Sequence, residues 1–211
     1  WMLATALLVA YRYFLTEKNR REMKNAFSKY VSKDILDEIL SNLSQIKLGG
    51  EEREVTVFFS DIRGFTSLSE TMTPVELTLF LNEYFTLISG IIFEEKGVVD
   101  KYIGDAIMAF WGAPHSNKDH ALFAVRTSLK IIKALDQFNE KREKEGKSKI
   151  NIGIGLNSGK AVIGNMGSNQ RFDYTAIGDT VNLASRLESL TKQYKVKIIA
   201  SGAVFEELNK S

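Results

Sequence analysis

Two aspartates stand at the ends of apolar runs. Asp61 closes Val55-Thr56-Val57-Phe58-Phe59-Ser60, and Asp105 opens Ala106-Ile107-Met108-Ala109-Phe110-Trp111. Charges this close to buried strands need partners. Each also has a glycine nearby, Gly64 in the turn Asp61-Ile62-Arg63-Gly64-Phe65-Thr66 and Gly104 directly before Asp105, so backbone can approach a ligand closely. Taken singly, Asp61 could cap the following turn and Asp105 could satisfy a hairpin amide. Together, two hard oxygen donors beside exposed amides suit magnesium or manganese ions that hold phosphates.

A second constellation lies near the carboxyl end. Asn182 and Arg186 are one helical turn apart and share a face, while Val181, Leu183, Ala184 and Leu187 supply packing around them. An amide and a guanidinium so placed can orient a ribose and neutralise a phosphate, although the same pair also suits a solvated helix face. Lys101 and Thr175 are ordinary strand residues on local evidence. The two histidines, His115 and His120, are five apart, a spacing that suits no helical metal pair, and a surface role is expected for both. Without cysteine, disulfides, thiolate zinc sites and a cysteine nucleophile are excluded.

Strand and helix signals set these residues in order. A strand is expected over 55–60 after Gly49-Gly50 breaks the preceding pattern. Thr73-Pro74-Val75-Glu76 is a helix start with a capping box, and Leu77, Phe80, Leu81, Tyr84, Ile88, Ile91 and Ile92 mark its buried face. Gly97 ends that helix, and residues 98–101 and 106–110 read as a hairpin with Asp105 at its tip. A second amphipathic helix over 118–142 directs Ala121, Ala124, Val125, Leu129, Ile132, Leu135 and Phe138 inward.

Ile150, Ile152, Ile154 and Leu156 then alternate with Asn151, Gly153, Gly155 and Asn157, a strand with one core face and one nearly bare face. This Gly-x-Gly lies inside a strand and is no dinucleotide fingerprint. Asn157-Ser158-Gly159-Lys160 is expected to turn the chain, with extended pieces at 161–165 and 173–177, a helix from about 180 to 193, a strand at 196–200 and a last helix at 203–208. Strand, helix, strand, strand, helix, strand is the split βαββαβ order of ferredoxin-like α+β folds. In that arrangement the first strand lies beside the central hairpin, which brings Asp61 and Asp105 to one edge. The fold by itself implies no function.

With 211 residues and 44% hydrophobic content the chain can build a domain-sized core, and a net charge of +2 makes no case for nucleic acid. Residues 1–15 are almost wholly apolar, with Tyr11, Tyr13 and Phe14 followed by Lys18, Arg20, Arg21 and Lys24. That order reads as the carboxyl-terminal part of a transmembrane helix leaving the bilayer into the cytoplasm. The stretch is shorter than the roughly 20 residues of a span, so a piece cut inside a span is expected. Residues 16–50 read as a helical coupling stalk, with Phe27, Tyr30, Val31, Ile35, Ile39 and Leu43 near three-and-four spacing. The globular part is then 51–211.

Three segments resemble a known family. Phe58-Phe59-Ser60-Asp61-Ile62-Arg63-Gly64-Phe65-Thr66, Asp100-Lys101-Tyr102-Ile103-Gly104-Asp105 and Asp173-Tyr174-Thr175-Ala176-Ile177-Gly178-Asp179-Thr180-Val181-Asn182-Leu183-Ala184-Ser185-Arg186 are similar to the class III adenylate/guanylate cyclase catalytic domain. With the apolar start and the stalk, the chain resembles the bacterial membrane-bound sensor adenylate cyclases. The resemblance implies a ferredoxin-like cyclase domain, anchored at the cell membrane with its catalytic part in the cytoplasm, working as a homodimer with active sites shared across the interface. It implies that Asp61, Asp105 and the Ile62 carbonyl bind two divalent cations, Mg or Mn. The amides of Ile62, Arg63, Gly64, Phe65 and Thr66 would cradle the triphosphate.

Lys101 and Thr175 match the positions that read the purine, Asn182 the position that places the ribose, and Arg186 the one that meets the reacting phosphate. A guanylate cyclase is expected to carry Glu at the Lys101 position and usually Cys or Ser at the Thr175 position, so this pair implies ATP. The family pattern also implies a further hairpin beyond Ser211, bearing a lysine that contacts the triphosphate. Two rivals stand beside this reading. One is a noncatalytic dimerisation or nucleotide-sensing module, which has no need of Arg186. The other is a diguanylate-forming enzyme, whose Gly-Gly-Asp/Glu signature is replaced here by Ile103-Gly104-Asp105.

Overall fold

The computed structural model describes residues 47–210, together with residues 12, 14, 16–18, 21 and 22. The expected membrane-helix remnant and most of the stalk lie outside the described residues. The chain divides into two compact units, Trp1–Ile46 and Lys47–Ser211. In the first, the described residues are helical.

The second unit is a six-stranded sheet with helices packed against it. Its elements are β1 (Gly49–Ile62), α1 (Phe65–Glu70), α2 (Pro74–Glu94), β2 (Val98–Ile103), β3 (Ala106–Trp111), α3 (His120–Lys144), β4 (Ile152–Ser168), β5 (Arg171–Ile177), α4 (Asp179–Tyr194), β6 (Ile198–Ala200) and α5 (Gly202–Leu208). The strand order is β2-β3-β1-β4-β5, with β6 paired in parallel to the first part of β4. The first four strands and the helices between them are the ferredoxin-like split arrangement.

The core forms where α2 and α3 cover the sheet. Phe58, Tyr84, Ile88, Ile92, Trp111, Ile131 and Ile154 are fully buried in it. The α2 start is the expected capping box: the Thr73 hydroxyl accepts the Glu76 amide at 3.3 Å and the Glu76 carboxylate accepts the Thr73 amide at 2.8 Å. Among the described residues α2 is the one helix long and apolar enough to cross a membrane. Its Phe80, Tyr84, Ile88 and Ile92 are spent on the core instead. Opposite it, Trp111 meets Phe58 edge-on with ring centres 6.1 Å apart and donates its indole N–H to the Glu95 carbonyl at 2.8 Å.

Three expectations about elements are corrected. β1 starts at Gly49 rather than Val55, because its first half, with Glu51, Glu52 and Glu54 exposed, is held by the backbone ladder to β4 rather than by a buried face. β4 does not turn at 157–160. It runs unbroken to Ser168, since its turn-type side chains find partners in place: Asn157 Nδ2 donates to the Thr180 carbonyl at 2.9 Å and Ser158 Oγ lies 2.7 Å from Thr56 Oγ1. On α3 the buried stripe carries Ala121, Ala124, Thr127, Ser128, Ile131, Leu135 and Phe138, while Leu129 is 60% exposed. Thr127 and Ser128 can be buried because they donate back to the carbonyls of Phe123 and Ala124.

Candidate active site

Antiparallel pairing of β1 with β3, from Thr56↔Trp111 to Ser60↔Ile107, carries Asp61 to the tip of the β2–β3 hairpin. The tip is two residues long, between the pair Ile103↔Ala106, and Gly104 takes the left-handed conformation there (φ 64°) with open space around it. Asp105 follows and turns its carboxyl back on β1, where Oδ2 accepts the Ile62 amide at 3.1 Å. Burial pushes the Asp105 carboxyl up to about 7, and the hydrogen-bonding contact and negative charge of Asp61 push the same way. Residues 44 positions apart (105 minus 61) are thus brought side by side.

Two crowded carboxylates that resist sharing their charge fit a divalent cation. The donors are all oxygen, and among the described residues no third acidic or imidazole group joins them. A hard ion here would complete its shell from backbone, water and phosphate oxygens, as magnesium commonly does.

The segment after Asp61 divides its amides. Those of Ile62 and Arg63, expected among the phosphate donors, have protein acceptors: Asp105 Oδ2 for the first and the Asn151 carbonyl, at 2.8 Å, for the second. Gly64, left-handed at φ 67°, caps α1, so the amides that open the helix are those of Phe65 and Thr66 together with the Gly64 amide beside them.

Sequence reasoning missed the role of the Arg63 side chain. Its Nη1 lies 3.0 Å from Glu188 Oε1, and Nη2 donates to the Glu188 carbonyl at 3.3 Å, which ties the loop after Asp61 to α4. The bare face of β4 is therefore filled from within the chain. A Cβ on Gly153 would collide with the Arg63 guanidinium and Thr191 Oγ1, and one on Gly155 with the α4 backbone at Ala184 and Glu188. Burial pushes the Glu188 carboxyl up, and the Arg63 charge pulls it back.

Lys101 and Thr175 come together through a residue that the local pattern did not single out. Thr175, 6% exposed, donates Oγ1 to Asp100 Oδ2 at 2.6 Å. The Ala176 amide donates to the same oxygen at 3.3 Å, and Lys101 Nζ lies 3.2 Å from Asp100 Oδ1. Burial pushes the Asp100 carboxyl up, and the Thr175 hydroxyl, the Lys101 charge and the Ala176 amide oppose that shift.

Asn182 and Arg186 lie on the exposed side of α4, with Arg186 Nη2 3.2 Å from Asp179 Oδ1. The opposite side of the helix buries Ala184, Glu188 and Thr191. At roughly 100° per residue, Arg186 and Glu188 point about 160° apart. In one protomer, then, the Asn182/Arg186 pair faces away from the side of α4 that holds the Asp61 loop.

The expectation of two surface histidines holds for His115, which is exposed, and fails for His120, which is 4% exposed. His120 Nδ1 lies 2.7 Å from Thr56 Oγ1, which is itself 2.7 Å from Ser158 Oγ. Burial lowers its pKa below the usual imidazole value. This is a structural polar link between β1, α3 and β4.

Known proteins agree with the fold. The family described as Adenylate and Guanylate cyclase catalytic domain matches residues 50–210. The chain is 40% identical over 191 residues to an adenylate cyclase of Anabaena cylindrica, covering 88% of this chain and 37% of that protein. It is 37% identical over 181 residues to adenylate cyclase 1 of Rhizobium meliloti, with 84% and 27% covered. The chain therefore spans under two fifths of the length of these relatives. Among solved structures, the adenylyl cyclase CyaB from P. aeruginosa superposes with a TM-score of 0.70 at 37% identity, over 77% of this chain and 84% of that one. The guanylyl cyclase Cya2 does so with a TM-score of 0.70 at 38% identity, over 76% and 80%. With its sheet, its hairpin aspartate and its family match taken together, this chain belongs to the adenylate and guanylate cyclase catalytic domain family.

Proposed function

We propose that this domain converts ATP into 3',5'-cyclic AMP and pyrophosphate, in a homodimer whose active sites are shared between protomers. The observation that carries the reading is the convergence of Asp61 and Asp105 at one edge of the sheet. Asp61, Asp105 and the Ile62 carbonyl would hold two divalent cations, Mg or Mn. Such ions supply charge neutralisation for the triphosphate and acidity for the ribose 3'-hydroxyl. The amides of Gly64, Phe65 and Thr66 at the start of α1 would donate to phosphate oxygens, a narrower cradle than 62–66 because the first two amides are bonded elsewhere.

Asn182 orients the ribose, so that its 3'-oxygen lies in line with the α-phosphorus. The 3'-oxygen forms a bond to that phosphorus, the bond to the bridging oxygen breaks, pyrophosphate leaves with the electron pair, and the hydroxyl proton passes to solvent. Arg186 neutralises charge growing on the α-phosphate. Lys101 and Thr175 read the purine, and their donor and acceptor polarity favours adenine over guanine.

The shared site is supported by the placement of Arg186 on the side of α4 turned away from the Asp61 loop. Exposed apolar residues beside the purine readers, Tyr102, Ile103, Val162 and Ile177, suit a protomer contact. The apolar start of the chain and its basic flank support anchorage at the cell membrane, with the catalytic domain on the cytoplasmic side.

Complementation tests the reading. Asp61→Ala and Arg186→Ala are each expected to abolish cyclic AMP formation, and mixing them is expected to restore activity from one intact site per heterodimer. A demonstrably mixed dimer that stays inactive would refute the shared site, and a parent protein that makes no cyclic nucleotide from ATP or GTP with Mn would refute the reaction.

A further inference from the structure

Asp100 is the residue at which β2 slips against β3. Val99 pairs with Ala109 and Lys101 with Met108, which leaves Asp100 as the extra residue of a bulge. Bulges re-aim a side chain. Here the re-aimed carboxylate, with its side chain fully buried, meets β5, although β2 and β5 end the strand path on opposite sides. It collects the Thr175 hydroxyl at 2.6 Å, the Ala176 amide at 3.3 Å and the Lys101 ammonium at 3.2 Å.

The consequence lies in the proton count. A threonine hydroxyl has one proton and two lone pairs, so it can either donate or accept, whereas an ammonium only donates. An ionised Asp100 has no proton to give, so the one proton of Thr175 is committed to it. What Thr175 Oγ1 can still offer a ligand is a lone pair.

We propose that Asp100 is a specificity-determining positioning residue: by holding the Thr175 proton it makes Thr175 an obligate acceptor, matched to the 6-amino group of adenine and opposed to the 6-oxo group of guanine. The proposal rests on the reading that Lys101 and Thr175 meet the purine. Lys101 needs no such help, because its donors already match the adenine N1 lone pair and oppose the guanine N1–H. Without Asp100, Thr175 is free to rotate its proton outward and receive a 6-oxo group.

The test compares ATP with inosine triphosphate, which carries the 6-oxo group without the 2-amino group of guanine, using the full chain with Mn. Asp100→Ala, which removes the acceptor, is expected to lower the ratio of kcat/KM for ATP over inosine triphosphate by about tenfold or more, with KM for ATP rising more than kcat falls. Asp100→Leu, which keeps the side-chain volume without an acceptor, is expected to act likewise. Thr175→Val lowers the ratio, and Thr175→Ser keeps it. Adding Asp100→Ala to Thr175→Val changes the ratio by less than about twofold, since no hydroxyl is left to orient.

If Thr175→Val lowers the ratio while both Asp100 variants keep it, or if the double variant loses the product of the two single effects, the proposal is overturned and base reading by Thr175 survives. If Thr175→Val leaves the ratio unchanged, Thr175 does not read the purine and the proposal falls with that reading. Neither result touches the metal site, whose separate check is the Asp61/Arg186 complementation.

Discussion

Asp105 accepts the Ile62 amide at 3.1 Å, and this one bond aims the hairpin carboxylate at its neighbour Asp61. Burial raises the Asp105 carboxyl to about 7, and crowding by the Asp61 carboxylate adds to the rise. Asparagine at 105 keeps an oxygen for the Ile62 amide and removes the charge. Asp105→Asn is therefore expected to stabilise the metal-free protein by ~1 kcal/mol, allowing for solvent screening. The same change is expected to abolish thermal protection by Mn and to cut cyclase activity by at least about a hundredfold. Urea unfolding in chelator, repeated with Mn, checks both. A variant less stable than the parent without metal would mean that the two carboxylates do not repel in solution.

His120 makes a second expectation, for acid. Burial lowers its pKa, while Glu207, Glu54 and Asp119 pull it up and Lys210 pushes it down, with burial the largest influence. A buried neutral imidazole binds its proton less readily than the unfolded chain does. Stability should therefore fall as pH drops below the unfolded value of about 6.5 and go on falling until the folded group is protonated. Asp105 acts in the opposite sense, since a carboxyl raised to about 7 favours the folded state as pH falls from there toward its unfolded value. The comparison is thus between the parent and His120→Asn, in thermal melts from pH 7.5 to 5. The difference between the two curves should widen in favour of the variant as pH falls, and parallel curves would show that His120 is protonated equally well folded and unfolded.

The contrast between Asp105 and His120 explains what could be read in the sequence. Asp61 and Asp105 are charges at the ends of apolar runs, an anomaly visible in one dimension, and the βαββαβ order was enough to bring them together. Ferredoxin-like order, the α2 capping box and the hairpin tip were likewise local signals. His120, Asp100 and Arg63 are each made meaningful by a partner far along the chain: Thr56, Thr175 and Glu188. No local spacing encodes those pairings. Leu129 is apolar yet exposed for a related reason: hydrophobicity favours it over Thr127 and Ser128 in the pattern, but those two are buried by bonding their own helix. Strand ends failed where backbone pairing alone held them, as at Glu51 and Glu52.

The glycines of β4 yield a paired prediction that separates fold from site. A Cβ on Gly155 would strike α4 backbone at Glu188 and Ala184. Backbone cannot step aside without lifting the helix, so Gly155→Ala is expected to cost more than ~3 kcal/mol and to leave little soluble protein. A Cβ on Gly153 would instead strike the Arg63 guanidinium and Thr191 Oγ1, and a guanidinium at the end of a flexible side chain can move. Gly153→Ala should therefore fold, at a loss of about 1–3 kcal/mol, while breaking the Arg63–Glu188 link that seats the loop after Asp61. Its expected signature is a raised KM for the metal–nucleotide, matched by Arg63→Ala, with no further rise when the two are combined. Steady-state kinetics across a range of Mn concentrations decide it. If Gly153→Ala keeps the parent KM while Arg63→Ala raises it, the guanidinium finds another anchor. If both keep the parent KM, the Arg63 clamp has no part in holding the loop, and the Asp105–Ile62 bond suffices alone.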